Sequence, residues 1–350
     1  MNYNLIKIAF FVTMFLQVFS CGDEGSTSTE KETLKEVTVY THRHYDTDQK
    51  LIKQFEEQTG IQVNVVNAKA DELIQKMKTE GEQSPADVLI TVDAGRLVRA
   101  KNEGLLQAAE SSFLDKTIPA NLRDGQNYWF ALTKRARVIA YHKDNVKPTL
   151  LSTYEDLADK KWDGKILIRS SGNIYNQSLM ASIIAINGEA DAQTWAAGVL
   201  GNMARSPKGN DRDQVKAVLA GEGDIAVINT YYLGRLLNSK NPEEVKAGES
   251  VKVFFPNQND RGTHINISGA GVAKYSPNKT NAIKFIEFLA SKQAQEVFAE
   301  ANYEYPVNKS AKISDLLLSW GDFKEDKLPL EKLGELNKSA VITFDKVGWK

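Results

Sequence analysis

Cysteine is nearly missing from this chain. Cys21 is the only one in 350 residues, so the rest of the sequence can hold neither a disulfide nor a thiolate metal site. Charge of one sign is not in surplus either. Charged residues make up 25% of the chain and leave a formal net charge of −1, which excludes a broad polyanion-binding surface and makes nucleic acid an unsuitable partner. With 9 prolines, 23 glycines and 9% aromatics, the composition is neither fibrous nor that of a disordered chain. No fixed-period repeat and no long low-complexity tract appears. Two catalytic signatures are also missing, the G-x-S-x-G elbow and H-E-x-x-H. What is present is 42% hydrophobic residues over a length that favours two lobes over one.

The N-terminal apolar run, Ile8 to Phe19, follows Lys7 and is interrupted only by Thr13 and Gln17. It is too short to span a bilayer but suits the apolar centre of a secretory signal. It runs into Val18-Phe19-Ser20-Cys21, which resembles a bacterial lipoprotein signal. In that pattern the cysteine is diacylated and becomes the first residue after cleavage; Val18 and Phe19 depart from the usual leucine and small residue. The expectation is a signal over 1–20 and a flexible, solvated tether over 21–36, rich in Ser, Thr, Glu and Lys. Two or more acyl chains would hold the protein at a membrane, and one would not. A cleaved, unlipidated signal is the alternative.

From Val37 onward short apolar strands alternate with amphipathic helices, the mark of an α/β fold. The pattern predicts a helix over about 48–58 with Leu51, Ile52 and Phe55 buried, and Asp46 with Gln49 as its capping box. It predicts a crossing strand over Arg137–Tyr141, helices over about 176–187, 190–204 and 280–289, and mixed signals after Trp320. No Gly- or Pro-rich linker divides the body, as expected if strands pass back and forth between two lobes. Ligands of such lobes sit outside the carboxyl ends of the strands.

Three of those junctions carry tyrosine: Tyr45 after the Val37 strand, Tyr175 after the Ile166 strand, and Tyr231-Tyr232 after the Asp224 strand. Each precedes or opens a predicted helix, whose N-terminal amides are expected to favour phenolate. With His44 beside Tyr45, four phenols and one imidazole can meet in one cleft. Phenolate is a hard, anionic oxygen donor that suits a highly charged cation such as ferric iron. Such binding weakens as protons compete for the ligands. Strand-end tyrosines also serve as core-edge residues or stack on sugars, so spacing alone leaves these roles open. His142 and His264, in or beside strands, read as structural.

The segments VTVYTHRHYDTD, SSGNIYNQS, GEGDIAVINTYYLGRL and FPNQNDRGTHINISGAGVAK resemble the FutA/FbpA-like group of periplasmic ferric-iron-binding proteins, and the resemblance runs from about Val37 to Asn308. It implies a two-lobed type II periplasmic-binding-protein fold with crossing hinge strands near Lys134–Val138 and Gly262–Ile267. Lobe one would comprise 37–135 and 265–312, and lobe two 136–264 and 313–350. The resemblance also implies metal ligands at His44, Tyr45, Tyr175, Tyr231 and Tyr232, with Arg235 close behind the metal. Whether His44 binds directly stays open.

The implied function is capture of Fe3+, with Fe2+ as an alternative, and delivery to an ABC permease and its ATPase. The protein would be a monomer, held on the periplasmic side through a lipid at Cys21. Within the same class the competing cargoes are a polyamine, a sugar or thiamine. A metalloenzyme or hydrolase is a different class, and five protein ligands would leave it little open coordination. A surface adhesin would need no convergent ligands.

Overall fold

Strand pairing in this chain follows from where its short apolar runs fall. A computed structural model describes residues 35–43 and 45–350. Among the described residues the strands are β1 (Glu36–Thr41), β2 (Gln62–Asn67), β3 (Val88–Val92), β4 (Leu106–Gln107) and β5 (Phe130–His142). They continue with β6 (Ile166–Leu167), β7 (Ile225–Asn229), β8 (Val251–Phe254), β9 (Ile265–Ala273) and β10 (Tyr305–Pro306). Their order is β2-β1-β3-β9-β5-β7-β6, with β10 and β8 also on β5 and β4 also on β9.

The sheet has two halves that share one strand. The first part of β5, Phe130 to Ala136, pairs with β9 except at Leu132, where the register shifts, while Arg137 to Tyr141 pair with β7 and Ile139 to His142 with β8. The changeover falls between Ala136, opposite Ile265, and Arg137, opposite Asn229. β7 and β9 are buried along their whole length, as strands covered on both faces must be. This is the two-lobed type II periplasmic-binding-protein architecture, an α/β fold in which crossing strands join the lobes.

The structure extends or corrects several sequence expectations. β5 starts at Phe130 and not at Arg137. Thr133-Lys134-Arg135 looks like polar loop, yet each side chain finds a partner: Thr133 bonds Glu304 at 2.9 Å, Lys134 bonds Glu325 at 2.6 Å, and Arg135 bonds Ser268 at 2.8 Å. The first helix is Asp46–Thr59, and its cap is formed by Asp48, which accepts from the Tyr45 amide at 3.2 Å; Asp46 and Gln49 do not form it. Its Leu51 and Phe55 are fully buried, each stabilising by about 1.5–3 kcal/mol. Phe55 meets Phe285 edge-on, 5.0 Å between centroids.

The two helices expected over 176–204 form one run, Ile174–Gly201, broken at Gly188 where φ is 81° and ψ is 166°. The tail resolves into helices Glu331–Glu335 and Asn337–Val347. The first packs on the Ala94–Asn102 helix and the second on Ile174–Gly201. Among the described residues no helix is long and apolar enough to cross a membrane. The expected signal, the tether up to Leu34, Cys21 and His44 lie outside the described residues.

Candidate metal centre

The tyrosines are delivered by the ends of three strands. Tyr45 follows β1 and stands at the N-cap of the Asp46–Thr59 helix. Tyr231 and Tyr232 come directly after β7, in the first turn of the Thr230–Leu237 helix. Tyr175 lies in the first turn of Ile174–Gly201, where Asn173 caps the helix by accepting from the Tyr175 amide at 3.1 Å.

These side chains meet. The Tyr175 and Tyr231 hydroxyls are 3.3 Å apart, and the Tyr231 and Tyr232 rings stack with centroids 4.2 Å apart and planes 29° apart. Tyr45 is close enough to help raise the Tyr231 hydroxyl, and Tyr175 to help raise that of Tyr45. Tyr175 and Tyr231 are buried, while Tyr45 and Tyr232 are half-buried. The structure therefore brings together four of the five expected ligand positions.

Cations ring this group. Arg235 stands over the Tyr45 ring, 4.4 Å from its centroid. The sequence reading missed three more. Arg43 lies 5.4 Å from the Tyr45 centroid, and Arg135 and Arg169 lie 5.7 Å and 5.6 Å from that of Tyr175. Carboxylates hold them in place: Arg43 pairs with Asp48 at 3.0 Å and Glu304 at 3.3 Å, and Asp211 binds Arg169 at 3.3 Å. Asp211 also takes Arg137 at 2.7 Å. A signal for Arg135 and Arg137 was available: two arginines alternating inside an otherwise apolar strand must point into a satisfied interior.

One expectation is corrected. The helix ends do not make these phenols acidic. Burial raises the Tyr231 hydroxyl well above its ordinary value, and Tyr175, Tyr232 and Tyr45 raise it further, against Arg135. Burial also raises Tyr232, aided by Tyr175 and Asp211 and opposed by Arg169. Tyr45 is raised by burial and Glu304, against Arg43 and Arg235. Magnitudes explain the outcome. A helix terminus supplies about 0.3–1 kcal/mol, less than the roughly 1.4 kcal/mol of one pKa unit, whereas desolvation of a buried group moves it by several units. Metal-free, Tyr45, Tyr231 and Tyr232 are neutral phenols.

His264, buried just before β9, is pushed down to about 3 by burial and by Arg261, Arg137 and Arg135, and it is neutral. The nitrogen of His142 that faces the backbone accepts from the Asp144 amide at 3.3 Å. Among the described residues no group of three or more His, Cys, Asp or Glu can hold a metal.

The sequence pattern of the bacterial extracellular solute-binding protein family matches residues 50–325. Iron uptake protein A1 of Synechocystis sp. is 48% identical over 349 residues, covering 99% of this chain and 97% of that protein. The major ferric iron-binding protein of Neisseria meningitidis is 31% identical, with 79% and 82% covered. Among solved structures, the Trichodesmium protein (IdiA, FutA) in complex with iron and citrate superposes with a TM-score of 0.87 at 54% identity, covering 90% of this chain and all of that one. The ferric binding protein of Campylobacter jejuni gives 0.86 at 48% identity over 90% and 100% of the two chains. The chain thus belongs to the bacterial extracellular solute-binding proteins, the substrate-capturing components of periplasmic ABC import.

Proposed function

We propose that this protein captures ferric iron on the periplasmic side and delivers it to an ABC permease and its ATPase. The observation that carries the reading is the phenol cluster, with Tyr175 and Tyr231 hydroxyls at 3.3 Å and Tyr232 stacked on Tyr231. Tyr45, Tyr175, Tyr231 and Tyr232 are its proposed ligands, with His44 as a fifth. Arg235 beside Tyr45 helps hold the phenolates ionised once the metal is bound. A relative named for iron uptake, at 48% identity over nearly the whole chain, and one named for ferric iron, at 31%, support the same cargo. Three or four phenolates neutralise Fe3+, a hard cation matched to hard oxygen donors.

Binding and not catalysis is the proposed activity, because a metal enclosed by so many protein donors keeps no open position for a reacting group. The protein works as a monomer whose halves, 37–135 with 265–312 and 136–264 with 313–350, close on the metal. Tyr45 comes from the first half and the other three tyrosines from the second.

The test is a ferric-citrate titration of the purified protein lacking residues 1–34, which precede the described residues. Visible absorption is expected to show a tyrosinate-to-iron charge-transfer band that saturates near one equivalent. A protein that shows no band and no change in tryptophan fluorescence does not bind ferric iron. A lipid at Cys21 is the proposed anchor, and Cys21→Ser is expected to move the protein from the membrane fraction to the soluble fraction and abolish labelling by a fatty-acid probe. Continued labelling would place the lipid elsewhere.

A further inference from the structure

Two contacts join the halves beside the phenol cluster without belonging to it. The first is between Asp93 and Ser178. Asp93 follows β3, in the first half, and caps the Ala94–Asn102 helix. Ser178 lies on the Ile174–Gly201 helix, three residues after Tyr175. That helix is tied to the second half, since Arg137 donates to Asn176 at 2.8 Å and the Ile166 amide donates to the Asn202 carbonyl at 3.1 Å. The Ser178 hydroxyl reaches the Asp93 carboxylate at 2.8 Å. Both residues are fully buried.

Asp93 is built to receive that hydroxyl. Its φ of 80° is a conformation that side-chain-bearing residues rarely adopt, and its surroundings hold it there. Its carboxylate accepts from the Gly95 amide at 2.9 Å and from Asn266 at 2.7 Å. Asn266 is itself fixed, accepting from the Ala94 and Ile267 amides at 2.9 Å and 2.8 Å. These donors belong to the first half and to β9; among the described residues Ser178 is the partner that the second half supplies.

The second contact is Tyr303 on Gly234. Tyr303 ends the Lys292–Asn302 helix with φ 57°, in the first half, between Asn302, which accepts from Thr47 at 3.0 Å, and Glu304, which pairs with Arg43. Gly234 lies on the Thr230–Leu237 helix, two residues after Tyr232. A methyl group at 234 would lie 2.5 Å from Cβ and Cγ of Tyr303. The halves can approach this closely only because residue 234 has no side chain.

We propose that Asp93–Ser178 and Tyr303–Gly234 are the positioning contacts that hold the halves shut and set how long the cargo stays bound. This rests on the ferric reading above. Each sits within one helical turn of a proposed ligand, so closing the halves and aligning Tyr175 and Tyr232 are one motion. Packing that merely maintained the fold would leave the rate of iron release untouched.

Wild type, Ser178→Ala and Gly234→Ala are loaded with ferric citrate and mixed with excess chelator, and decay of the visible band is followed by stopped flow. Ser178→Ala is expected to release iron about tenfold faster, the loss of one charge-assisted hydrogen bond, with the band maximum unchanged. Gly234→Ala is expected to release faster still, while the metal-free protein keeps or gains melting temperature because alanine favours the helix. Gly234→Ala combined with Tyr303→Gly should slow release back toward wild type, since glycine accepts the backbone at 303 and the obstructing ring is gone.

Release at the wild-type rate in both single variants overturns this inference while leaving the ferric reading intact. A shifted band maximum does so too, because it would put these residues around the metal. A wild-type protein with no band removes the ferric reading and this inference with it.

Discussion

Tyr231→Phe is expected to weaken ferric binding by at least about a hundredfold, measured by citrate competition, and to lower the intensity of the visible band. Tyr231 is the centre of the cluster: its hydroxyl is 3.3 Å from that of Tyr175, its ring stacks on Tyr232, and Tyr175, Tyr232 and Tyr45 all help raise its hydroxyl. Removing a residue that only supports a ligand typically costs 10- to 100-fold in metal affinity, so removing a direct donor should cost no less. The fold should tolerate the change. The buried ring remains, and the hydroxyl lost is one neutral hydrogen bond worth about 1 kcal/mol. Affinity that stays within threefold of wild type would remove Tyr231 from the ligand set, and with it most of the case for this site.

Acid is expected to act more strongly still. Burial and mutual proximity hold metal-free Tyr45, Tyr231 and Tyr232 above their ordinary value near 10, so across pH 5 to 8 these three are protonated before iron arrives. Each phenolate formed on binding therefore releases one proton, and the number released stays constant through this window. The sign is fixed: lowering the pH adds a competitor, and affinity falls. Its logarithm should change by about one per pH unit for each phenolate ligand, so Tyr45, Tyr231 and Tyr232 together give about 1,000-fold per unit. The measurement is the apparent ferric affinity at several pH values, corrected for the citrate equilibrium. A slope that flattened toward neutral pH would mean that the phenols are already partly ionised, contrary to their burial. A slope near one would reduce the ligand set to a single phenolate.

Much of this was legible in the residues. Alternating short strands and amphipathic helices gave the α/β class, and Arg137–Tyr141 was read as a strand, which it is. The tyrosines were visible because each sits where a strand ends and a helix begins, a place where the fold itself gathers side chains. What stayed hidden has one physical cause: a buried charge has the same letter as an exposed one. Arg43, Arg135 and Asp93 look like ordinary polar residues until their partners, Glu304, Ser268 and Asn266, arrive from far along the chain. The same blindness cut β5 short at Thr133-Lys134-Arg135. The acidity of the phenols was misjudged for a related reason, because local sequence shows a helix end but not the desolvation that outweighs it.

β5 carries a consequence for how the molecule comes into being. It is a spine for both halves, and its partners β7, β8 and β9 are all encoded far downstream of it. Neither half can be completed as the chain emerges, since each waits for strands that follow. Pairings between such distant segments are slow to nucleate, because a long loop must close before they contribute. The halves should therefore gain and lose order together, and the chain stays extensible until nearly all of it is available. Late cooperative assembly thus ties the order of both halves to the completion of one shared strand.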